Sequence, residues 1–535
     1  MLEGCVPWPD EAAARYRAAG YWRGEVLGDL AADIAKSDPA RVAIVAAGRR
    51  HTYAELDERA SRLAGGLHAL GVRPGDRVVV QLPNSWEFVV VCLALFRLGA
   101  PPVLALPAHR RAEIAYLCAH TDAVAYICQD THQGFDFLGL AEAVRGEVPG
   151  LRHVLVAGSE RAQPMKPGFL PLGDIDAEPA RLPAPDPGEV AFFLLSGGTT
   201  GLPKLIPRTH DDYAFQLRAT AEAMGFGERD VYLAALPVAH NAALGCPGVL
   251  GALRAGGTAV LAASPSPDEV FPLIAAEGVR LTTLMPAFLP LWLDLAPLFE
   301  AELSGLTIEV GGAKLRPEVA ERIRPELGAT LTHWFGMAEG LLCFTRRDDP
   351  PHLPVHTQGR PLCEDDELRV VDEQGRDVAP GEAGELLVRG PCVLRGYYRA
   401  PEYNARAFTP DGFLRTGDVV RFAETGELVV EGRIKDVVNR GGEKVPAEEL
   451  EEHLLAHPAV RDAAVIAVPD PRLGEKTCAV LVTAGTRPDL AELRAFVAGR
   501  GVAEYKQPDQ VRYVDVLPRT GVGKVDKVAL RSATG

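Results

Sequence analysis

The sequence predicts an α/β protein: a large N-terminal domain of two parallel α/β halves plus a β subdomain, followed by a small α+β C-terminal domain. Three observations carry this. Short runs of apolar and β-branched residues alternate with helical stretches from Arg41 to Met285, the pattern of parallel strands covered by helices. Beyond Pro361 the texture changes to short alternating strands between turns such as Asp411-Gly412 and Thr425-Gly426. A chain of 535 residues is also too long for one ordinary core.

Taken in order, an irregular N-terminal segment leads to a strand at Arg41–Ala47. Thr52-Tyr53-Ala54-Glu55 is a capping box, and Leu56, Ala60, Leu63, Ala64, Leu67 and Leu70 recur behind it at helical spacing. Strand Arg77–Leu82, helix Trp86–Leu98, strand Pro102–Leu106, a helix near Arg111–His120 and a strand at Ala123–Cys128 follow. Residues 145–190, rich in Pro and Gly, read as a connecting passage. After an apolar run at Phe192–Leu195, alternation resumes: helix Asp212–Met224, strand Val231–Leu236, helix Pro247–Ala255, strand Thr258–Ala262, helix Pro267–Glu277 and strand Leu281–Met285. Strands Glu367–Val371, Gly384–Arg389 and Glu427–Glu431 make the β subdomain, and the boundary near Lys435 gives domains 1–434 and 435–535.

Composition excludes several functions. A net charge of −16 argues against a nucleic-acid partner, which requires a basic field. The longest apolar run, Phe88 to Phe96, stops at Arg97, too short for a membrane span. The first twenty residues carry Glu3, Asp10 and Glu11 and no hydrophobic signal core, so a cytoplasmic protein is expected. Nine scattered cysteines without a Cys-x-x-Cys pair indicate neither a zinc site nor a disulfide framework.

The chemistry concentrates in a few turns. Ser196-Gly197-Gly198-Thr199-Thr200-Gly201-Leu202-Pro203-Lys204 follows an apolar strand, with glycines that let backbone N–H groups converge, hydroxyl donors and a mobile cation. It reads as a phosphate cradle but not as a Walker A loop, because Lys204 follows Pro203 and precedes Leu205. Val310-Gly311-Gly312-Ala313-Lys314 offers exposed backbone to a flat base. Trp334-Phe335-Gly336-Met337-Ala338-Glu339 ends in one carboxylate, which Mg²⁺ accepts when triphosphate oxygens and water complete its shell. Asp418 sits in a tight turn suited to the two hydroxyls of a ribose, and Lys524 sits on the glycine-flanked loop Pro518–Lys524.

These motifs, with Pro7-Trp8-Pro9-Asp10, Leu82-Pro83-Asn84, Ala235–Asn241, Gly336–Gly340 and Asn439–Lys444, resemble the adenylate-forming superfamily across essentially the whole chain. The chain is similar in particular to the stand-alone 2,3-dihydroxybenzoate and salicylate AMP ligases. That resemblance implies ATP and Mg²⁺ as cofactors. Ser196 to Lys204 would hold the β- and γ-phosphates; Gly311, Gly312, Ala313, Gly336 and Met337 would surround the nucleotide; Asp418 with Arg433 would hold the ribose. Glu339 would bind Mg²⁺, and Lys524 would bridge the acid carboxylate and the α-phosphate, offsetting the repulsion between two anions. It further implies a mobile C-terminal domain turning about Lys435, which withdraws Lys524 and brings Gly441 and Gly442 to line a pantetheine tunnel gated by His240.

For the acid, the resemblance assigns Asn241, Ala242, Cys246, Gly311, Trp334, Gly336, Leu342 and Cys343 to the pocket. Amino-acid-activating relatives keep an Asp where Asn241 stands, so an α-ammonium would be poorly served and an aryl acid is expected. Cys246 stands where dihydroxybenzoate enzymes carry Ser. Ala242 replaces a usual aromatic, Trp334 a small aliphatic, Leu342 a Val and Cys343 an Asn. The expected substrate is salicylate or a substituted 2-hydroxyaryl or aminoaryl acid, such as 3-hydroxyanthranilate or a hydroxypicolinate. The expected function is adenylation followed by transfer to a separate aryl carrier protein in siderophore or nonribosomal-peptide-type biosynthesis; the alternative is an aryl-CoA ligase using free coenzyme A. A relative that had lost catalysis would show erosion at Glu339, Asp418 or Lys524, and all three are present.

Overall fold

The computed structural model describes residues 1–158, 167–179, 182–196, 203–312, 315, 317–372, 374–433, 437–518, 525 and 527–532. Two large sheets form the N-terminal domain. The first has seven strands in the order Lys204–Thr209, Val190–Ser196, Pro102–Leu104, Val78–Gln81, Ala125–Gln129, His153–Ala157 and Phe169–Pro171, with only the first pair antiparallel. The second has nine. Its parallel centre runs Thr330–Gly336, Thr307–Val310, Leu281–Leu284, Val231–Ala234, Thr258–Leu261 and Val42–Ala46, with antiparallel strands at both ends. Helix Trp86–Leu98 is buried along its whole apolar run from Phe88 to Phe96, and it contacts strands of both sheets, which is why no polar face is needed.

Asn84 joins the two sheets. Its amide nitrogen donates to the carbonyls of Ala234, Leu236 and Ala262, and its oxygen accepts from Val238 N–H at 2.8 Å. One polar side chain thus satisfies four backbone groups at the strand ends, where parallel α/β sheets place ligands.

A four-stranded antiparallel sheet, Glu367–Val371, Gly384–Arg389, Leu414–Phe422 and Leu428–Arg433, forms the β subdomain. The C-terminal domain is α+β, with Glu443–Pro446, Val437–Arg440, Gly474–Thr483 and Val460–Asp470 antiparallel and Gln510–Tyr513 added parallel. Helices Ala447–Leu455 and Leu490–Gly499 cover it over a core of its own, centred on Val438, Leu450, Leu454, Val465 and Leu481.

Two expectations are corrected, and one long-range pairing stands beside them. The first strand, Val42–Ala46, pairs with Thr258–Leu261 in the second sheet, because pairing partners over 200 residues away leave no local trace. Residues 145–190 are not a bare connection: they hold the end of helix Phe137–Glu147, the strands His153–Ala157 and Phe169–Pro171, and the start of strand Val190–Ser196. Those short buried strands lie among prolines and glycines that mask their pattern. The chain after the phosphate loop returns as strand Lys204–Thr209 before helix His210–Met224. Pro207 hid it, yet proline is tolerated there because the strand is the sheet's edge.

Candidate active site

A cleft of ≈1270 Å³ lies between the large domain and the C-terminal domain. The ends of strands from both sheets open onto it. Ser196 closes strand Val190–Ser196 and Lys204 begins its return strand as the register partner, so both line the cleft. The Lys204 ammonium lies 4.0 Å from the ring centroid of Tyr403, a cation–π contact that steadies a mobile cation. Gly197, Gly198, Thr199, Thr200 and Gly201 lie outside the described residues.

Glycines shape the facing wall. A Cβ on Gly311 would collide with the Trp334 indole, and one on Gly312, at φ +78°, would meet the Met285 sulfur at 2.7 Å. Gly312, Trp334, Gly336 and Met337 line the cleft, whereas Gly311 sits directly behind the indole. Ala313 lies outside the described residues. The next turn carries Glu339, whose carboxylate accepts from the Tyr397 hydroxyl at 2.9 Å and whose carbonyl accepts from Leu394 N–H. Gly340 makes this turn possible: its φ is +124°, and a Cβ would overlap the Cys392 carbonyl. Among the described residues no three His, Cys, Asp or Glu side chains cluster as a metal cage. A single carboxylate offered by this turn suits a metal whose remaining ligands are substrate oxygens.

Asp418, 3% exposed, also lines the cleft; its N–H donates to the Thr416 hydroxyl at 3.0 Å. Its strand pairs it in register with Arg433. Lys435 and Lys524 lie outside the described residues.

His240 caps the short helix Asn241–Gly245 by accepting the Ala242 N–H on Nδ1 at 3.3 Å. Burial, and secondarily the charge of Lys444, pulls its pKa down to about 4, so the ring is neutral at physiological pH. Asn241 and Ala242 follow it along the wall. Cys246, Leu342 and Cys343 are buried behind that wall: Cys246 lies 3.7 Å from the Asn241 amide nitrogen, and Leu342 is the residue a Cβ on Gly336 would strike. On the opposite side, Gly441 and Gly442 take φ of +59° and +96°, and a Cβ on Gly442 would meet Met285 Cγ at 2.7 Å. The C-terminal domain therefore holds its glycine loop against the large domain at the cleft.

A family model described as AMP-binding enzyme matches residues 31–398, and one described as AMP-binding enzyme C-terminal domain matches residues 449–524. The chain belongs to the AMP-binding enzyme family. It is 53% identical over 534 residues to 2,3-dihydroxybenzoate-AMP ligase of Bacillus subtilis (strain 168), covering 100% of this chain and 98% of that protein. It is 48% identical over 539 residues to salicyl-AMP ligase / salicyl-S-ArCP synthetase of Mycobacterium tuberculosis (strain ATCC 25618 / H37Rv), covering 99% and 94%. The apo structure of Mycobacterium smegmatis MbtA superposes with a TM-score of 0.76 at 48% identity, covering 99% and 98% of the two chains. This AMP-binding enzyme is thus an adenylate-forming ligase.

Sequence reasoning missed the layer behind the AMP-binding enzyme's cleft. Arg208, Asp212 and Gln216 are fully buried; Arg208 donates to both Asp212 and Gln216, and Gln216 donates to Asn241. The available signal was the i, i+4, i+8 spacing of Arg208, at the end of the return strand, and Asp212 and Gln216 on one face of the helix that follows. Also missed was the domain contact, where Lys506 lies 3.3 Å from Glu113 and 2.8 Å from Glu449. Among the described residues no helix is long and apolar enough to cross a membrane.

Proposed function

We propose that this AMP-binding enzyme activates an aryl carboxylic acid with ATP and passes the acyl group to the phosphopantetheine thiol of a separate carrier protein, in siderophore or nonribosomal-peptide-type biosynthesis. The observation that carries the reading is a single cleft that brings Lys204, Glu339 and Asp418 together with Asn241, a neutral amide beside the expected acid pocket. An amino-acid substrate would leave its ammonium unpaired against that amide. The names of the two curated relatives, which act on 2,3-dihydroxybenzoate and salicylate, support the aryl class.

In the first step a carboxylate oxygen bonds to the α-phosphorus and the α–β bridging bond breaks, releasing pyrophosphate. Lys204 and the Ser196 hydroxyl hold the departing phosphates, Asp418 holds the ribose, and Lys524 offsets the charge between the two reacting anions. Glu339 would hold Mg²⁺, which would supply positive charge to the phosphate oxygens. In the second step the thiol bonds to the acyl carbon and AMP leaves. The neutral ring of His240 stands between the acid pocket and the side from which Gly441 and Gly442 enter, where it admits the thiol without adding a cation. We assign residues 1–434 to the adenylation domain and 435–535 to a domain that turns about Lys435; the placement of Gly442 on Met285 supports the orientation used for thiol transfer.

Incubation with ATP, Mg²⁺ and salicylate should yield the mass of salicyl-AMP, and adding a phosphopantetheinylated aryl carrier protein should move the acyl group onto it. Faster thioester formation with free coenzyme A would replace the carrier assignment with that of a CoA ligase. No adenylate with any aryl acid would overturn the reading.

A further inference from the structure

Asn241 has a side chain whose two ends look alike in shape and are opposite in chemistry, so which end faces a ligand decides what the ligand must carry. Here the surroundings settle it. Arg208 is fully buried, and its Nη2 lies 2.9 Å from Gln216 Oε1. A guanidinium only donates, so that atom of Gln216 is its oxygen and the other is its nitrogen. The nitrogen lies 2.8 Å from the Gly245 carbonyl, which only accepts, so the far end of Gln216 reaches the same assignment independently. The same nitrogen faces Asn241 at 3.3 Å, and the Tyr213 hydroxyl donates to the same Asn241 atom at 2.9 Å. That atom is therefore the Asn241 oxygen; turning the amide over would set N–H against N–H.

The Asn241 nitrogen has only the Cys246 sulfur, a weak acceptor at 3.7 Å, as a partner among the described residues. Tyr213 and Gln216 stand behind Asn241 and do not line the cleft, whereas Asn241 does. The nitrogen end is what remains for a ligand. Arg208 is itself held by Asp212, with Nε 2.8 Å from Oδ1, and Asp212 accepts in turn from the Thr209 N–H and hydroxyl. The guanidinium also donates to the Ala338 carbonyl at 3.1 Å, next to Glu339.

We propose that Arg208, acting through Gln216 with Tyr213, locks the Asn241 amide with its nitrogen toward the acid pocket, so that the enzyme selects aryl acids with a hydrogen-bond acceptor ortho to the carboxylate. A phenolic oxygen or a ring nitrogen meets that N–H. An ortho-amino group does not, because its lone pair is delocalised into the ring and it presents hydrogens instead. This rests on the aryl-acid reading above, and it sets aminoaryl acids such as 3-hydroxyanthranilate below hydroxyaryl and pyridine acids. Arg208, Gln216 and Tyr213 are positioning residues, since none touches the substrate.

The test compares kcat/KM in ATP–pyrophosphate exchange for salicylate, picolinate and anthranilate. The wild type should favour salicylate and picolinate over anthranilate by about tenfold to a hundredfold, the usual consequence of one buried donor left facing a donor. Gln216→Glu, when ionised beside Arg208, only accepts, so Asn241 should turn its nitrogen inward and its oxygen to the pocket. The salicylate-to-anthranilate ratio should then fall at least tenfold, on the scale of one mispaired buried group, while the KM for ATP holds. Gln216→Met, which adds no buried charge, should bring the ratio toward unity if the Glu variant does not fold. A wild type that prefers anthranilate, or variants that keep the full ratio, would overturn the inference while leaving aryl adenylation intact. Exchange that depends on an α-amino acid and on no aryl acid would overturn both. If only a larger aryl acid is activated, its ortho-hydroxy and ortho-amino forms make the same comparison.

Discussion

Replacing Lys506 with Met separates the two half-reactions. Lys506 is 6% exposed and is flanked by Glu113, 2% exposed, and Glu449, 7% exposed. Burial opposes its charge, but the two carboxylates outweigh that and hold the ammonium above its ordinary pKa. Burial likewise opposes the Glu113 carboxylate, which Lys506, His109 and backbone N–H groups nonetheless keep below its usual range; burial pushes Glu449 up to about 7. Removing one partner from a buried ion pair costs about 3–5 kcal/mol, because the other charge is stranded. Glu113 belongs to the large domain and Lys506 and Glu449 to the small one, so the chain can relieve that cost by undocking rather than unfolding. At about 1.4 kcal/mol per tenfold, the docked arrangement should lose about 10²-fold or more in population. Single-turnover loading of the thiol acceptor, which the proposed mechanism assigns to this docked arrangement, should slow accordingly, while ATP–pyrophosphate exchange is retained. Amide exchange in helix Arg111–His120 should rise, since Ala112 and Glu113 contact Gly501 and Ala503 across the same interface. Equal losses in both half-reactions, or unchanged loading, would refute the assignment of this contact to the thiol-transfer orientation.

Three further outcomes follow from buried groups. Burial raises Glu309 to about 8, against an ordinary 4.5, so the folded chain holds a proton that the unfolded chain releases between those values, and stability falls as pH rises through that window. Glu309→Gln should flatten this slope, worth up to about 5 kcal/mol, in denaturant melts from pH 5 to 8; an unchanged slope would count against it. Gly340→Ala should cost about 3 kcal/mol or more, because φ +124° and the Cys392 carbonyl leave no place for a Cβ; a shift below about 1 kcal/mol in the unfolding free energy would contradict the turn geometry. His240 is depressed to about 4, so its contribution to stability is present above its unfolded value near 6.5 and is lost only as pH falls toward 4. His240→Asn should accordingly leave the shape of the pH–rate profile between pH 6 and 8 unaltered; loss of an inflection near 6.5 would show the ring titrating there.

The fold and much of the cleft were legible because they rest on local signals. Thr52 and Thr209 cap the helices their patterns announce, and Gly312, Gly336 and Glu339 occur in turns whose chemistry is visible in a few residues. What stayed hidden depends on distant partners. Nothing near Val42 says that it will pair with the second sheet, and Glu113 and Lys506 are 393 residues apart. Cys246, Leu342 and Cys343, which the resemblance assigns to the acid pocket, are buried beside Asn241 and Gly336 rather than at the cleft surface, a placement that depends on packing between distant elements. The polarity of the Asn241 amide was beyond sequence altogether, since it is set by Arg208 and Gln216 across a helix.

The central claim is that this cleft joins an aryl carboxylate to the α-phosphate of ATP. ATP–pyrophosphate exchange across a panel of aryl, α-amino and aliphatic acids tests it most directly, with Lys524→Ala as the control. The account predicts exchange that depends on an ortho-substituted aryl acid and falls by about 10²-fold or more in the variant while ATP still binds. Exchange driven by α-amino or aliphatic acids alone, or undiminished in the variant, would contradict it.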